Sequence, residues 1–231
     1  NMFEELKAQF ILNFITDDRW MSLLRGLVVT LKITVFAVIL GFVLGFSVAI
    51  VRDVYENTKK LKVLNFLCNV YLTVIRGTPV VVQLLIIYFV IFSSIKIDKS
   101  IAAVLAFGIN SGAYQAEIFR SGINSIPKGQ MEAGRSLGFS YRQTMVNIIM
   151  PQAIKNVLPT LGNEFIVLMK ETSVAGYIAL EDLTKAGDII RSRTYSAMMP
   201  FLAVALLYLI MVMFFSHLLK MFERRLAGSG R

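Results

Sequence analysis

The chain has 231 residues, a formal net charge of +9 and a hydrophobic content of 56%. Its apolar residues are gathered in long runs, which is typical of a membrane protein, and the length leaves no room for a second, catalytic domain. The basic residues flank these runs, so they indicate membrane topology rather than a nucleic-acid partner. A single cysteine and a single histidine exclude an intrachain disulfide and a histidine-built metal site.

The first two predicted spans lie in the N-terminal half of the chain. An apolar run at 27–51 is long enough, at about 1.5 Å per residue, to cross a hydrocarbon core of about 30 Å. A second run, at 63–92, is too long for one span, and an arginine and a proline interrupt it at 76–79. Because arginine is costly in lipid and proline ends helices, we predict an amphipathic interfacial helix at 61–75 and a span at 78–92.

Three further apolar runs predict spans at 101–119, 148–169 and 199–219. The third span is unusually polar. The basic loop between the third and fourth spans, residues 120–147, is divided by Pro127 into two helical stretches. The sequence therefore predicts an all-α polytopic membrane protein, a single domain with about five transmembrane helices.

The charges of the loops predict how the chain is oriented. Lys and Arg are more frequent in the loops 52–62, 120–142 and 220–231 than in the segments predicted on the opposite side of the membrane. The positive-inside rule places these three loops in the cytoplasm. With five spans, the N-terminus then lies outside and the C-terminus lies in the cytoplasm.

The loop between the third and fourth spans carries a spaced motif. Residues 132–138 are Glu-Ala-Gly-Arg-Ser-Leu-Gly, and residues 148–151 are Ile-Ile-Met-Pro. This resembles the coupling motif of importer-type ABC permeases, in which Glu-Ala-Ala, three residues, Gly, nine residues and Ile-x-Leu-Pro recur. Gly134 replaces the second Ala here, and Met150 replaces Leu.

The resemblance implies a cytoplasmic coupling-helix loop that contacts an ATPase. A short helix, a glycine turn and a second helix would form an elbow. Small residues would let this elbow enter a groove of the partner, where a glutamate can accept hydrogen bonds. The predicted coupling residues are Glu132, Ala133, Gly134 and Gly138.

Further segments resemble the polar amino acid uptake family, which includes histidine, arginine and glutamine permeases. They are Ile-Arg-Gly-Thr-Pro at 75–79, Ala-Tyr-Gln-Ala-Glu at 113–117, Pro-Lys-Gly-Gln at 127–130 and Lys-Glu-Thr-Ser at 170–173. The likeness extends over nearly the whole chain, from Trp20 to Arg225.

This resemblance implies a multi-pass permease subunit of the bacterial inner membrane that works by alternating access. Family members are dimeric, as homodimers or with a sister permease. Two ATP-binding subunits dock on them, and an extracytoplasmic binding protein delivers the amino acid. ATP and Mg are bound by the ATPase partner. The sequence has no Gly-x-x-x-x-Gly-Lys-Ser/Thr loop, so we expect no cofactor in this chain and no catalytic residue.

Polar residues in the third and fourth spans are candidate substrate contacts, because ionisable groups inside a membrane are costly and usually functional. At helical spacing, three of them share one face of the third span, and two follow a stripe of the fourth with a glutamate beside them. The predicted substrate-binding residues are Asn110, Tyr114 and Glu117 on the third span and Thr160, Asn163 and Glu164 on the fourth.

Two unneutralised carboxylates would favour a cationic cargo, so the expected substrate is arginine, lysine or histidine. Glu117 has an alternative role in an ion pair with Arg120, and Glu164 in an ion pair with Lys155 or across a dimer. The alternative function is a permease of the same type for glutamine, glutamate or cystine. An ion channel is a more distant alternative.

Overall fold

The structure is a computed structural model that describes residues 2–228, and within that range it is helical and contains no β-strand. The all-α prediction is therefore confirmed. The α-helices are, in chain order, α1 (Met2–Phe10), α2 (Arg19–Thr58), α3 (Lys62–Arg76), α4 (Val80–Ile86), α5 (Lys99–Asn124), α6 (Lys128–Ser136), α7 (Tyr141–Thr144), α8 (Met150–Glu171), α9 (Leu183–Thr194) and α10 (Met198–Gly228).

Shorter helical segments join some of these elements. π-helical turns cover Ile11–Ile15, Ile87–Ile91 and Met145–Ile149, and 3₁₀ turns cover Thr16–Asp18 and Thr172–Ile178. A π turn is a usual way to insert one residue into a helix without ending it, and such turns often lie near functional sites.

Prolines and polar caps mark the starts of several helices, and the two prolines stand where the sequence predicts breaks. Pro79, in an extended conformation, precedes α4, and Pro127 precedes α6. Ser140 and Gln143 form a capping box at the start of α7. The Asp182 carboxylate accepts from the backbone N–H groups of Thr184 and Lys185 and so caps α9.

The chain divides into two compact units. The first combines the chain up to Ala37 with Pro79–Phe107 and Ile166–Phe215, and the second combines Val38–Thr78, Gly108–Phe165 and the chain from Ser216 onward. The core of the first unit packs α9 residues such as Leu183 and Ile190 among other buried apolar side chains.

The second unit contains a close approach of α2 and α5. A Cβ atom on Gly45 would lie 2.8 Å from the backbone N of Ala116 and 2.9 Å from the backbone O of Gly112. Side chains are therefore excluded at this crossing, which brings the two backbones together. The same unit holds the cavity between α5 and α8.

The helix bounds follow most of the predicted pattern. The helix predicted at 61–75 is α3, and its position at the membrane interface stays a prediction. The first and last long helices extend beyond the predicted spans, to Arg19–Thr58 and Met198–Gly228. The segment after α8, which carried no predicted helix, contains a 3₁₀ turn and α9.

Two helical stretches in the described part of the chain are long and apolar enough to cross a membrane, Met2–Thr58 and Met198–Arg225. A third is formed if the bent pair Lys62–Arg76 and Val80–Ile91 counts as one span. Helices α5 and α8 are long enough, at 26 and 22 residues, but they are more polar. The count of five spans stays a prediction.

Candidate functional site

A cavity of about 370 Å³, to which polar residues contribute, opens between α5 and α8 in the second unit. The lining residues of α5 recur every three or four positions from Tyr114 onward, which is the spacing of one helix face. Its α8 wall follows a stripe of i, i+4 and i+8. The lining residues are Tyr114, Glu117, Ile118, Ser121, Gly122 and Ser125 on α5, and Asn156, Val157, Thr160 and Glu164 on α8.

The structure brings four of the six predicted substrate residues to this cavity: Tyr114, Glu117, Thr160 and Glu164. Asn110, which is 3% exposed, and Asn163, which is exposed, do not line it. The lining stripe on α8 continues from Thr160 to Glu164. Asn163 lies about 100° around the helix from Glu164 and is therefore off this stripe. Whether the lining residues contact a substrate stays a prediction.

Glu117 lies among three arginines. Its Oε1 is 2.6 Å from Arg52 Nη1 and 3.7 Å from Arg76 Nη1, and its Oε2 is 3.9 Å from Arg120 Nη1. The expectation that Glu117 is an unneutralised carboxylate is therefore wrong. The nearest partner, Arg52, is 65 residues away in the chain, so local spacing gave no signal for it.

The arginine cluster is extended by two further contacts. Arg120 Nη2 donates to Glu56 Oε1 at 3.0 Å, which ties α5 to the C-terminal end of α2. The Arg76 guanidinium lies 5.7 Å from the ring centre of Tyr114, a cation–π distance. The cluster thus borders the cavity at Glu117 and Tyr114.

Glu164 has a different environment. Ser111 Oγ donates to Glu164 Oε1 at 3.0 Å, and Gln115 Nε2 donates to the same Ser111 Oγ at 3.0 Å. Ser111 and Gln115 are both buried. Because Gln115 occupies an acceptor position on the hydroxyl, its hydrogen is left for the carboxylate. Sequence reasoning did not identify Ser111 as the residue that orients Glu164.

Three of the predicted coupling residues lie in the second half of α6, and the fourth, Gly138, follows the helix. Glu132 and Ala133 are exposed, and Gly134 is buried. A Cβ atom on Gly134 would lie 2.5 Å from Thr144 Cγ2, so packing inside this chain requires a glycine here. The coupling role of these residues stays a prediction. Gly138 has φ +87°, a conformation that favours glycine, and it turns the chain after α6.

The elbow is held to α2 by one side-chain hydrogen bond of 2.6 Å, from Tyr141 Oη to Asp53 Oδ2. Burial and this hydrogen bond with the carboxylate raise the pKa of Tyr141, so the phenol stays a proton donor at physiological pH. A second cavity, of about 560 Å³, lies beside the bond and is lined by Asp53, Glu56, Glu132 and Tyr141, among others.

Residues 37–228 match the family described as binding-protein-dependent transport system inner membrane component. The glutamine transport system permease protein of Escherichia coli is 39% identical over 207 residues, which are 88% of this chain and 92% of that protein. The arginine transport system permease protein of Bacillus subtilis is 36% identical over 209 residues, 90% of this chain and 93% of that protein.

A solved structure is similar over the same extent. The crystal structure of an amino acid ABC transporter with histidines superposes with a TM-score of 0.84 at 42% identity, and the match covers 92% of this chain and 98% of that chain. These relatives are therefore similar to nearly the entire chain and not to a fragment of it.

Proposed function

Because the chain belongs to the family of binding-protein-dependent transport system inner membrane components, we propose that it is an amino acid importer permease whose cargo is a basic amino acid. The relatives are permeases of amino acid ABC transporters, and ATP hydrolysis in this family is carried out by separate ATPase subunits. The basic cargo is the part of the proposal that goes beyond family membership.

The observation that carries the proposal is the charge of the cavity wall. Among its described lining residues are two glutamates and no lysine or arginine. Glu117 is neutralised by the arginine cluster, and Glu164, whose Oε1 accepts from Ser111 Oγ at 3.0 Å, brings a second carboxylate to the cavity wall. A guanidinium or ammonium group placed there would gain a charge-assisted hydrogen bond.

The remaining lining residues suit an amino acid. The cavity volume of about 370 Å³ is in the range of small-molecule sites. Hydroxyl and amide groups of Ser121, Ser125, Asn156 and Thr160 offer donors and acceptors for a zwitterionic head. Tyr114 offers an aromatic surface on which a planar guanidinium can stack.

Glutamine is the second candidate cargo, and a specific observation favours it. Glu117 is already paired with arginines, so the cavity does not offer two unneutralised carboxylates to a cationic side chain, and an uncharged side chain such as that of glutamine fits this charge balance. The relatives carry names for both glutamine and arginine transport.

The test compares arginine with citrulline, its uncharged analogue of similar shape, and with glutamine. Each is added to the purified chain in detergent, and the melting temperature is measured, because a ligand of the native state raises it. We expect arginine to stabilise the chain more than citrulline does, and Glu164→Gln to remove that difference.

Glu181→Gln is the matched control, since Glu181 is exposed and does not line the cavity. It should keep the preference for arginine. Stabilisation by glutamine that equals or exceeds that by arginine would reject the basic cargo and favour the second candidate. No stabilisation by any of the three would reject the cavity of this chain as the binding site.

We also propose that the complex contains two ATPase subunits, which bind ATP and Mg, a second permease and an extracytoplasmic binding protein. The exposed side chains of Glu132 and Ala133 on α6 support a docking role for this helix. Native mass spectrometry of the purified complex gives its stoichiometry. A complex with one ATPase, or with one permease, would contradict the proposal.

A further inference from the structure

One turn of helix at the C-terminal end of α2 connects two parts of the second unit. Arg52 is bonded to Glu117 at 2.6 Å, and Glu56 accepts from Arg120 at 3.0 Å, both on α5. Asp53, between them in sequence, accepts from Tyr141 at 2.6 Å. The same helical turn therefore contacts the wall of the 370 Å³ cavity and the elbow formed by residues 128–144.

The link on the elbow side is firmly placed. Tyr141 is the first residue of α7, and the capping box of Ser140 and Gln143 fixes its backbone. Gly134 lies close against Thr144, so α6 and α7 pack on each other within the elbow. Asp53 also accepts from Asn57 Nδ2 at 3.2 Å, so its carboxylate is oriented from its own helix.

The link on the cavity side is equally direct. Arg52 is the nearest of the three arginines to Glu117, which lines the cavity. A displacement of Asp53 along or around α2 must move Arg52, because the two residues are neighbours on one rigid helical turn. Movement of Arg52 changes the position and the charge balance of the Glu117 carboxylate.

We propose that the hydrogen bond between Tyr141 and Asp53 couples the elbow to the cavity, so that Tyr141 is a positioning residue for transport. This inference rests on the proposed function, since it takes the elbow as the ATPase contact. Breaking the bond leaves ATP hydrolysis and assembly in place, but it reduces how much of the elbow movement reaches Glu117.

The experiment measures amino acid uptake and ATP hydrolysis in the same proteoliposomes, which contain the complex of permease and ATPase subunits. Radiolabelled arginine and glutamine serve in turn as the probe. For Tyr141→Phe we expect the amount taken up per ATP hydrolysed to fall about three- to tenfold, as for a coupling contact of about 1 kcal/mol. This ratio does not depend on the fraction of folded complex, because uptake and hydrolysis both scale with that fraction.

Tyr55→Phe is the control, since Tyr55 lies on the same helix and contacts Lys59 instead. It should leave the ratio unchanged. Asp53→Ala should lower the ratio as Tyr141→Phe does, and the double variant should be no worse than either single one. An unchanged ratio in Tyr141→Phe, or additive losses in the double variant, would overturn the proposal. Wild-type uptake in the same vesicles tests the proposed function by itself.

Discussion

At the scale of single residues, the orientation of Glu164 depends on a buried hydroxyl. Ser111→Ala removes the Oγ that donates to the carboxylate at 3.0 Å. A hydrogen bond to a charged group is worth about 1.5–3 kcal/mol, and part of it is recovered by water in the cavity, so we expect the Kd of the stabilising amino acid to rise about tenfold. Isothermal titration calorimetry on the purified chain measures this Kd.

Ser47→Ala is the matched control for Ser111→Ala. Ser47 is also a helical serine, but its hydroxyl donates to the carbonyl O of Val43 on its own helix. It should leave the Kd unchanged. Equal affinities of wild type and Ser111→Ala would mean that Glu164 is not held in place for a ligand.

The environment of Asp182 is expected to make the free energy of unfolding depend on pH. The residue is fully buried, and burial raises its pKa from 3.8 to about 6 although two backbone N–H groups stabilise its charge. The folded chain therefore binds this proton more tightly than the unfolded chain. Stability falls as the pH rises from about 4 to 6, by at most about 3 kcal/mol.

Asp182→Asn keeps an acceptor for the helix cap and removes the titration. We expect the melting temperature of wild type, relative to that of Asp182→Asn, to decrease between about pH 4 and pH 6 and then to level off. Thermal unfolding of both proteins across this range, in one detergent, measures the difference. A difference that does not change with pH would show that Asp182 does not titrate in this window.

At the scale of helices, apolar runs and prolines were sufficient to predict most elements. The breaks at Pro79 and Pro127 and the bounds of α3 lie where the sequence placed them. The ends of α2 and α10 could not be predicted, because hydropathy marks where a helix leaves the hydrocarbon core of the membrane. It does not mark the residue at which the helical conformation ends. Helix α9 was missed since its charged residues, such as Arg191 and Arg193, gave it no apolar run.

Glycines at the crossing of α2 and α5 predict a sharp difference between two substitutions. Gly45→Ala would place a methyl group within 3 Å of backbone atoms of Ala116 and Gly112, which cannot rotate away as a side chain can. We expect a loss of about 1–3 kcal/mol of stability. Gly129→Ala on α6 meets no atom within 4 Å, and alanine favours helix, so it should be neutral or slightly stabilising.

Thermal unfolding of the two glycine variants in detergent distinguishes them. A lowered melting temperature is expected for Gly45→Ala alone. If Gly45→Ala unfolds at the same temperature as Gly129→Ala, the two helices do not approach as closely as the structure places them.

At the scale of the whole molecule, motif spacing identified the family, whereas the site depended on contacts that spacing does not contain. The face of α5 follows from helical periodicity, so Tyr114 and Glu117 could be predicted to lie together. On α8, the predicted stripe ran through Asn163 with Glu164 beside it, whereas the stripe that lines the cavity runs through Glu164. Sequence could not distinguish the two, because a helical period of 3.6 residues allows both i+3 and i+4. Arg52, Arg76 and Tyr141 meet their partners only in the folded chain, far from them in sequence.

The orientation of the whole chain in the membrane is a prediction that rests on the charges of its loops. The loop between α2 and α3 is basic and is expected in the cytoplasm, and the loop before α5 is expected outside. Lys60 and Lys96 are exposed residues of these two loops. Lys60→Cys and Lys96→Cys remove the same charge from each, so they form a matched pair.

Both substitutions are made in a Cys68→Ala background, since Cys68 is the single cysteine of the chain. A membrane-impermeant maleimide is applied to spheroplasts and to inside-out vesicles. We expect Lys96→Cys to react in spheroplasts and Lys60→Cys to react in inside-out vesicles. The reverse pattern would invert the topology, and it would place the elbow with Glu132 and Ala133 on the outer side, where no ATPase can reach it. Labelling of both cysteines from one side would mean that an even number of spans separates them, which contradicts a single crossing between residues 78 and 92.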